Sequence, residues 1–455
     1  MSERLLSLGL DVGTTSTQLV VSELLVENRA SGFSVPELEI SQRKVLYKSA
    51  VHFTPLLEGD LVDGAGIRHI VEEEYKKAGI NRNQVDTGAI IITGETSRRE
   101  NARAVLAELS SFAGDFVVAT AGPELESVLA AKGAGAVDYS ARTGKTVLHM
   151  DIGGGTDNLA LIEDGVITKT GCLNAGGRLI KFDSEKTVTY VSPVLAWVCP
   201  LKPGEAADEE VLRTVARTLV SALEAAVGIG KNSALVQGFW TREADSSGWP
   251  LAEKPEIISF SGGVADCIDR EYPWTEFGDI GPVLGQAIRQ SGLCAGEYML
   301  GRETIRATVI GAGSHSTQLS GSTVFCQNVD LPLKNLPVIP LPGNGWNLSE
   351  FIREKSAAAE ETPVFSHPGI PSPSYAQVSA MADAIAQGTG SAPVYLALEQ
   401  DMAKALGHAL ASRLGKTAAI LCIDRVKLGP ESYLDVGQSI GPALPVVVKT
   451  LVLER

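Results

Sequence analysis

Short apolar runs that end in a carboxylate and resume after a cluster of small residues occur twice in this chain. The first is Leu8-Gly-Leu-Asp11-Val-Gly13-Thr14-Thr15-Ser-Thr-Gln-Leu19, and the second is Leu148-His-Met-Asp151-Ile-Gly153-Gly154-Gly155-Thr156-Asp-Asn-Leu159. An apolar run on each side of a Gly, Ser and Thr cluster predicts strand, tight turn, strand. Two such hairpins in register at Asp, Gly and the later Leu predict a duplicated fold whose halves face each other across a cleft.

The remaining pattern divides the chain into three regions. Residues 1–145 begin with the first hairpin and continue into Ser22 to Ser41, a poorly patterned stretch with Asn28, Gly32 and Pro36 that reads as a loop or insertion. A helix follows at Ile67 to Ala78, closed by Gly79. Next come a buried strand at Ala89 to Thr93, a helix from Ser97 to about Phe112, a strand at Phe116 to Ala119 and a helix at Pro123 to Ala131. Strands alternating with helices predict a largely parallel or mixed sheet covered on both faces. Residues 146–325 open with the second hairpin, carry a long helix at Asp208 to Val227, and reach the apolar run Glu256 to Ser261 before Gly262 and Gly263. Residues 326–455 start in the Pro-rich stretch Leu331 to Pro342. They continue with a strand (Val394 to Leu398), a helix (Met402 to Leu414), a strand (Ala419 to Ile423) and a β-rich tail (Pro445 to Leu453), which together read as a small α/β module.

Composition narrows the class. The chain has 455 residues, 44% of them apolar, which supplies more than one core. Aromatics are scarce at 5% and glycines number 47, a balance that fits α/β proteins with many tight turns. No stretch approaches the roughly 20 apolar residues of a membrane helix, and the N-terminus lacks a basic-then-apolar signal segment. The expectation is a cytoplasmic protein with no membrane partner. A formal charge of −15 argues against nucleic acid as a partner. The six cysteines (Cys172, Cys199, Cys267, Cys294, Cys326 and Cys422) form no C-x-x-C pair, so reduced thiols are expected rather than a zinc or iron–sulfur site.

The two turns carry the chemistry. Backbone amides of a Gly, Ser and Thr turn form a concave nest for phosphate oxygens, and larger side chains would hold the ligand away. Asp11 and Asp151, at the strand ends, are the candidate catalytic and metal-binding carboxylates, because a hydrated Mg2+ on phosphates takes one or two carboxylates and several waters. Gly13, Thr14, Thr15, Gly153, Gly154, Gly155 and Thr156 are the candidate phosphate-binding residues. Glu95, after the Ala89 strand, is the further carboxylate for orienting an attacking water, or else a helix-capping charge before Ser97-Arg-Arg-Glu100; Asp157 has a similarly divided claim. Gly262 and Gly263 fit close passage of backbone beside an adenosine, or a strand-to-helix turn. Gly311 and Gly313 fit a hinge between lobes, or helix packing.

Asp11-Val-Gly-Thr-Thr, Asp151-Ile-Gly-Gly-Gly-Thr, Ser261-Gly-Gly-Val-Ala, Gly94 and Gly311 to Gly313 together resemble the two phosphate loops, adenosine motif and connecting segments of the actin, Hsp70 and sugar kinase superfamily. They occur in that family's order. The resemblance implies an α/β, two-lobed ATPase fold of duplicated ribonuclease-H-like domains, here with an extra C-terminal α/β module, and Mg-ATP between the lobes. It also implies that Gly262, Gly263 and Gly311 belong to the nucleotide site.

Longer phrases resemble the ethanolamine ammonia-lyase reactivating factors of the ethanolamine utilisation system. These are Thr93-Gly-Glu-Thr-Ser-Arg-Arg-Glu-Asn-Ala102, His149 to Asn158, Gly171-Cys-Leu-Asn-Ala-Gly-Gly-Arg178 and Val446 to Val452. That family implies ATP- and Mg2+-dependent release of damaged cobalamin from ethanolamine ammonia-lyase, with the cobalamin held by the lyase. It further implies a chaperone-like role beside a bacterial microcompartment. The alternative is a small-molecule kinase of the same superfamily. Oligomeric state stays open, a homodimer among the options, and no lysine matches the phosphate-contacting one of the chaperones.

Overall fold

The computed structural model describes residues 2–13, 16–28, 38–57, 61–81, 84–93, 101, 105, 117–120, 122–230, 233–242, 248–315, 317–319, 324–342, 347–359, 362–426, 428, 432–437 and 444–450. The expected helix at Ser97 to Phe112 lies almost wholly outside them, as do Thr14, Thr15, Gly94 and Glu95.

The first sheet contains β1 (Ser2–Val12), β2 (Ser16–Asn28), β3 (Leu38–Lys48), the short β4 (His52–Phe53), β5 (Thr87–Ile92) and β6 (Val117–Thr120). Its order is β3-β2-β1-β5-β6, with β4 on β2. β1 pairs antiparallel with β2 and parallel with β5, so the hairpin continues into a parallel half. Leu8, Leu10 and Val12 alternate into a core with Leu19, Val21, Ile67, Ile90 and Ile92. The helix α1 (Gly64–Ala78) covers that core; Asp63 caps its start by accepting from the Gly66 amide. Gly79 ends it in the left-handed region at φ 67°, which a glycine adopts without a Cβ penalty.

Ser22 to Ser41 is not a loop throughout. β2 continues to Asn28 and β3 starts at Leu38. The pairing shifts twice, opposite Val21/Ser22 and Leu25/Val26, where β3 carries the extra residues Leu46 and Ser41.

The second sheet repeats the first. β7 (Val147–Ile152), β8 (Asp157–Glu163), β9 (Val166–Leu173), β12 (Ile257–Ser261) and β13 (Tyr298–Leu300) lie in the order β13-β12-β7-β8-β9. β7 pairs antiparallel with β8 and parallel with β12, as β1 does with β2 and β5. Numbered from the hairpin outward, both sheets have one connectivity, which is the expected duplication. Between β9 and β12 the chain adds the small ribbon β10 (Ile180–Phe182) and β11 (Val188–Val191). It also adds α2 (Glu209–Ala226), whose apolar face carries Leu212, Val215, Leu219 and Leu223 into the main core.

Two helices exchange sides. The helix Pro123–Gly133 follows the first sheet yet packs on β7, β8 and β9; the helix Ala307–His315 follows the second sheet yet packs on β1, β2 and β5. They cross at glycines: a Cβ on Gly133 would lie 1.8 Å from the Ala307 carbonyl oxygen, and one on Gly311 would lie 1.9 Å from that of Leu129. Ala89, Ile91, Leu129 and Ala312 fill the space around the crossing.

A third, eight-stranded sheet runs β14 (Thr317–Leu319), β21 (Pro445–Thr450), β20 (Ser432–Val436), β16 (Leu333–Pro340), β17 (Val364–His367), β18 (Val394–Leu398), β19 (Ile420–Ile423) and β15 (Phe325–Gln327). The Pro-rich stretch is therefore an interior strand, β16, with a register shift between Leu333 and Leu336. Helices Leu348–Ala358, Tyr375–Thr389 and Ala403–Leu414 share a core with this sheet.

Candidate functional site

The two turns are built alike. Asp11 pairs across its hairpin with Gln18, and Asp151 with Asn158. The Gly13 amide donates to the Ser16 carbonyl at 2.9 Å, and the Gly153 amide donates to the Thr156 carbonyl at 2.9 Å. Each aspartate accepts a hydrogen bond from the neighbouring parallel strand's end: Thr93 Oγ1 donates to Asp11 Oδ1 at 2.9 Å, and Ser261 Oγ donates to Asp151 Oδ1. Thr308, on the crossing helix Ala307–His315, donates to Asp151 Oδ2 at 3.3 Å. Thr308 belongs to the helix that packs on the first sheet, and Asp151 lies close enough to Asp11 for its charge to act on it.

Their electrostatics agree with that placement. Burial pushes Asp11 up to about 7 against the Thr93 hydrogen bond, and the Asp151 charge pushes it further in the same direction. Burial pushes Asp151 up to about 6, with Ser261 and Thr308 holding it down. Asp157 is fully buried and raised well above the ordinary carboxylate range, first by burial and then by Asp151. Neither Asp157 oxygen has a hydrogen-bond partner among the described residues, nor do Gln18 Oε1 and Asn158 Oδ1. Two carboxylates with carboxamide oxygens beside them form a hard oxygen set, which suits a hydrated Mg2+ rather than a softer metal. Among the described residues no group of three His, Cys, Asp or Glu side chains is placed to hold a metal by itself, so water and phosphate oxygens would complete the shell.

The second turn is supported from beneath by the segment ending at Arg178. The Gly177 and Arg178 amides donate to the carbonyls of Gly153 and Gly154 at 2.9 and 2.7 Å. Arg178 also lays its side chain against Gly154 and pairs with buried Asp279 at 3.4 Å. This guanidinium beside the turn was not singled out from the sequence, although Gly171 to Arg178 is itself a distinctive phrase. Among the described residues a Cβ on Gly155 would meet nothing within 4 Å.

The glycine pairs divide. Gly262 has φ 86° and its missing Cβ would lie 2.3 Å from the Ile152 carbonyl oxygen, so the turn itself requires glycine. Among the described residues a Cβ on Gly263 would have only Ile305 within 4 Å, so it is the more open of the two. Gly311 sits in the helix crossing against the Leu129 backbone, a helix-packing position.

Two sheets of one order, joined by exchanged helices and each ending in an aspartate-led turn, place the protein in the two-lobed actin/Hsp70-like ATPase class of α/β folds. Residues 3–454 match the family described as ethanolamine utilisation protein EutA, and the chain belongs to that family. It is 38% identical over 473 residues to the ethanolamine ammonia-lyase reactivase EutA of Escherichia coli strain K12, with 99% of each chain covered. The protein of the same name from Salmonella typhimurium strain LT2 is 36% identical over 478 residues, again with 99% of each covered. Among solved structures, ethanolamine utilization protein EutJ from Carboxydothermus hydrogenoformans aligns with 68% of this chain and 89% of its own at 20% identity and a TM-score of 0.33. No helix among the described residues is long and apolar enough to cross a membrane.

Proposed function

We propose that this chain is an ATP-dependent reactivating factor for ethanolamine ammonia-lyase, releasing damaged cobalamin from the lyase so that intact adenosylcobalamin can enter. The observation that carries the nucleotide half of this reading is the pair of matched turns, with Asp11 and Asp151 brought together by opposite sheets. The lyase half rests on the family and on what its curated members are named for.

In this reading Asp11 and Asp151 hold a hydrated Mg2+ from the two lobes, and the amides of Gly13 to Thr15 and Gly153 to Thr156 cradle the phosphates. The bound metal would neutralise phosphate charge. Arg178 adds a cation beside the second turn, Gly262 and Gly263 pass beside the adenosine, and Glu95 orients the attacking water. Loss of the terminal phosphate removes contacts made to both turns at once, which shifts the balance between lobe arrangements about the crossed helices. An arrangement that binds the blocked lyase differently can then open its cofactor site.

The test incubates the purified chain with cyanocobalamin-blocked ethanolamine ammonia-lyase, Mg-ATP and adenosylcobalamin, and follows deamination. Deamination should return with ATP and fail with Asp11→Ala or Asp151→Ala. Retained reactivation in both variants would overturn the mechanism. Phosphate transfer to a small hydroxyl or carboxylate substrate, with no reactivation, would favour a kinase.

A further inference from the structure

A row of polar side chains runs through the buried interior of the second sheet to Asp151. β7 and β12 lie parallel with His149 opposite Ser259 and Asp151 opposite Ser261. Strand alternation therefore puts these four side chains on one face, while Leu148, Met150, Ile152, Ile258 and Phe260 point to the other and join the main core. His149, Ser259 and Ser261 are all completely buried. His149 Nδ1 lies 3.0 Å from Ser259 Oγ, and His149 Nε2 lies 2.9 Å from Ser261 Oγ.

The proton positions follow from the donor count. The Ser261 hydroxyl has one hydrogen and donates it to Asp151 Oδ1, so towards His149 it can only accept. Nε2 must then carry a hydrogen. With the one ring hydrogen on Nε2, Nδ1 is left to accept, and at 3.0 Å it takes the Ser259 hydroxyl hydrogen. The row reads Ser259 to His149 to Ser261 to Asp151, each hydroxyl or ring nitrogen donating to the next. The first lobe is built differently: the residue two before Asp11 is Gly9, whose missing side chain faces the Val309 carbonyl at 2.4 Å.

We propose that His149 is a positioning residue: its Nε2–H fixes the Ser261 hydroxyl as a donor to Asp151, and with Thr308 on the other oxygen this locks the carboxylate in the orientation that receives the metal-bound nucleotide. The role rests on the reading of the cleft as a Mg-nucleotide site. Outer partners that orient a metal-binding carboxylate typically carry about a 10–100-fold effect.

The test uses the full chain with His149→Met, His149→Gln, Ser261→Ala and the double variant H149M/S261A. Methionine fills similar apolar volume without donating; glutamine can place an amide N–H where Nε2–H was. H149M should lower kcat and raise KM for Mg-ATP, so that kcat/KM falls about 10-fold or more, H149Q should recover most of it, and the double variant should be no worse than S261A alone. Nitrogen NMR of the histidine-labelled, nucleotide-free chain should show the histidine signal that vanishes in H149M as an Nε2–H tautomer with a slowly exchanging ring hydrogen. Wild-type kcat/KM in H149M, equal losses in H149M and H149Q, additive losses in the double variant, or an Nδ1–H tautomer would each overturn the proposal. If the wild-type chain neither binds nor turns over Mg-ATP, the cleft reading falls and this role with it, while the tautomer measurement separately shows whether the hydrogen-bond row exists.

Discussion

Replacing Gly311 by alanine sets two effects of opposite sign against each other. In an exposed helix interior, Gly→Ala stabilises by about 1 kcal/mol, because glycine loses more backbone freedom on folding. At position 311 the added methyl would start 1.9 Å from the Leu129 carbonyl oxygen, 2.7 Å from its carbon and 3.0 Å from Leu129 Cα. All three are backbone atoms, so no side chain can swing aside, and the helices Pro123–Gly133 and Ala307–His315 must part until the closest approach reaches at least 3.0 Å. Overpacking of this kind costs about 1–3 kcal/mol at ordinary core sites, and a backbone-to-backbone crossing belongs at the upper end. The net expectation is a loss of about 1–2 kcal/mol, or a fall in Tm of about 2–4 °C per kcal/mol for a unit the size of one lobe. Gly133→Ala should behave alike, since its Cβ would start 1.8 Å from the Ala307 carbonyl oxygen. The double variant should cost less than the sum, because the first methyl already separates the helices. Thermal melts of the four proteins decide it: a rise in Tm for G311A, the result helix propensity alone gives, would refute the close crossing.

Three further outcomes are expected. Asp11 and Asp151 sit at about 7 and about 6, above the 3.8 of an exposed carboxyl. The nucleotide-free fold therefore holds these protons more tightly than the unfolded chain, and the stability this gives, complete below about 3.8, is lost as pH rises through 6 to 7. Melting of the free protein should fall between about pH 4 and pH 7 by an amount reduced in D11N and D151N, whereas Mg-ATP binding, which needs the ionised forms, should weaken as pH drops below about 7; identical pH profiles in wild type and variants would contradict the shifts. Gly155→Ala should melt like wild type, because its Cβ meets nothing within 4 Å among the described residues, yet bind nucleotide about 10–100-fold more weakly by holding a phosphate off the turn's amides; unchanged affinity by calorimetry would remove Gly155 from the site. Asp157→Asn should flatten the loss of stability towards alkaline pH, since the carboxylate there is fully buried and has no partner among the described residues; a steeper loss in urea titrations at high pH would count against it.

The parts of the fold legible in the sequence are those set by local chemistry. A carboxylate followed by Gly, Ser and Thr between apolar runs could be little else than a strand end and a turn, and Gly79 or Asp208 mark helix ends through caps made within a few residues. The hidden parts depend on neighbours distant in the chain. Ser22 to Ser41 concealed two strands because the run Ser22-Glu-Leu-Leu-Val-Glu-Asn28 does not alternate polar and apolar residues, and Gly311 stood open between hinge and helix packing because nothing local shows that Leu129 lies against it. Arg178 likewise acquires its place only through the backbone contacts of Gly177 and Arg178 with the second turn. The His149 row had a signal, polar residues at alternate positions in two otherwise apolar runs, but only the pairing of β7 with β12 shows that they face one another.

The exchange of helices between the sheets also bears on how the chain acquires its structure. The first sheet is synthesised early, but part of its cover, the helix Ala307–His315, emerges only after the whole second sheet. Until then Gly9 lacks Val309, and Ala89 and Ile91 lack Ala312, among the neighbours they have in the finished molecule. Neither half is therefore a self-sufficient folding unit, and truncation before residue 307 should yield an aggregation-prone fragment rather than an isolated lobe.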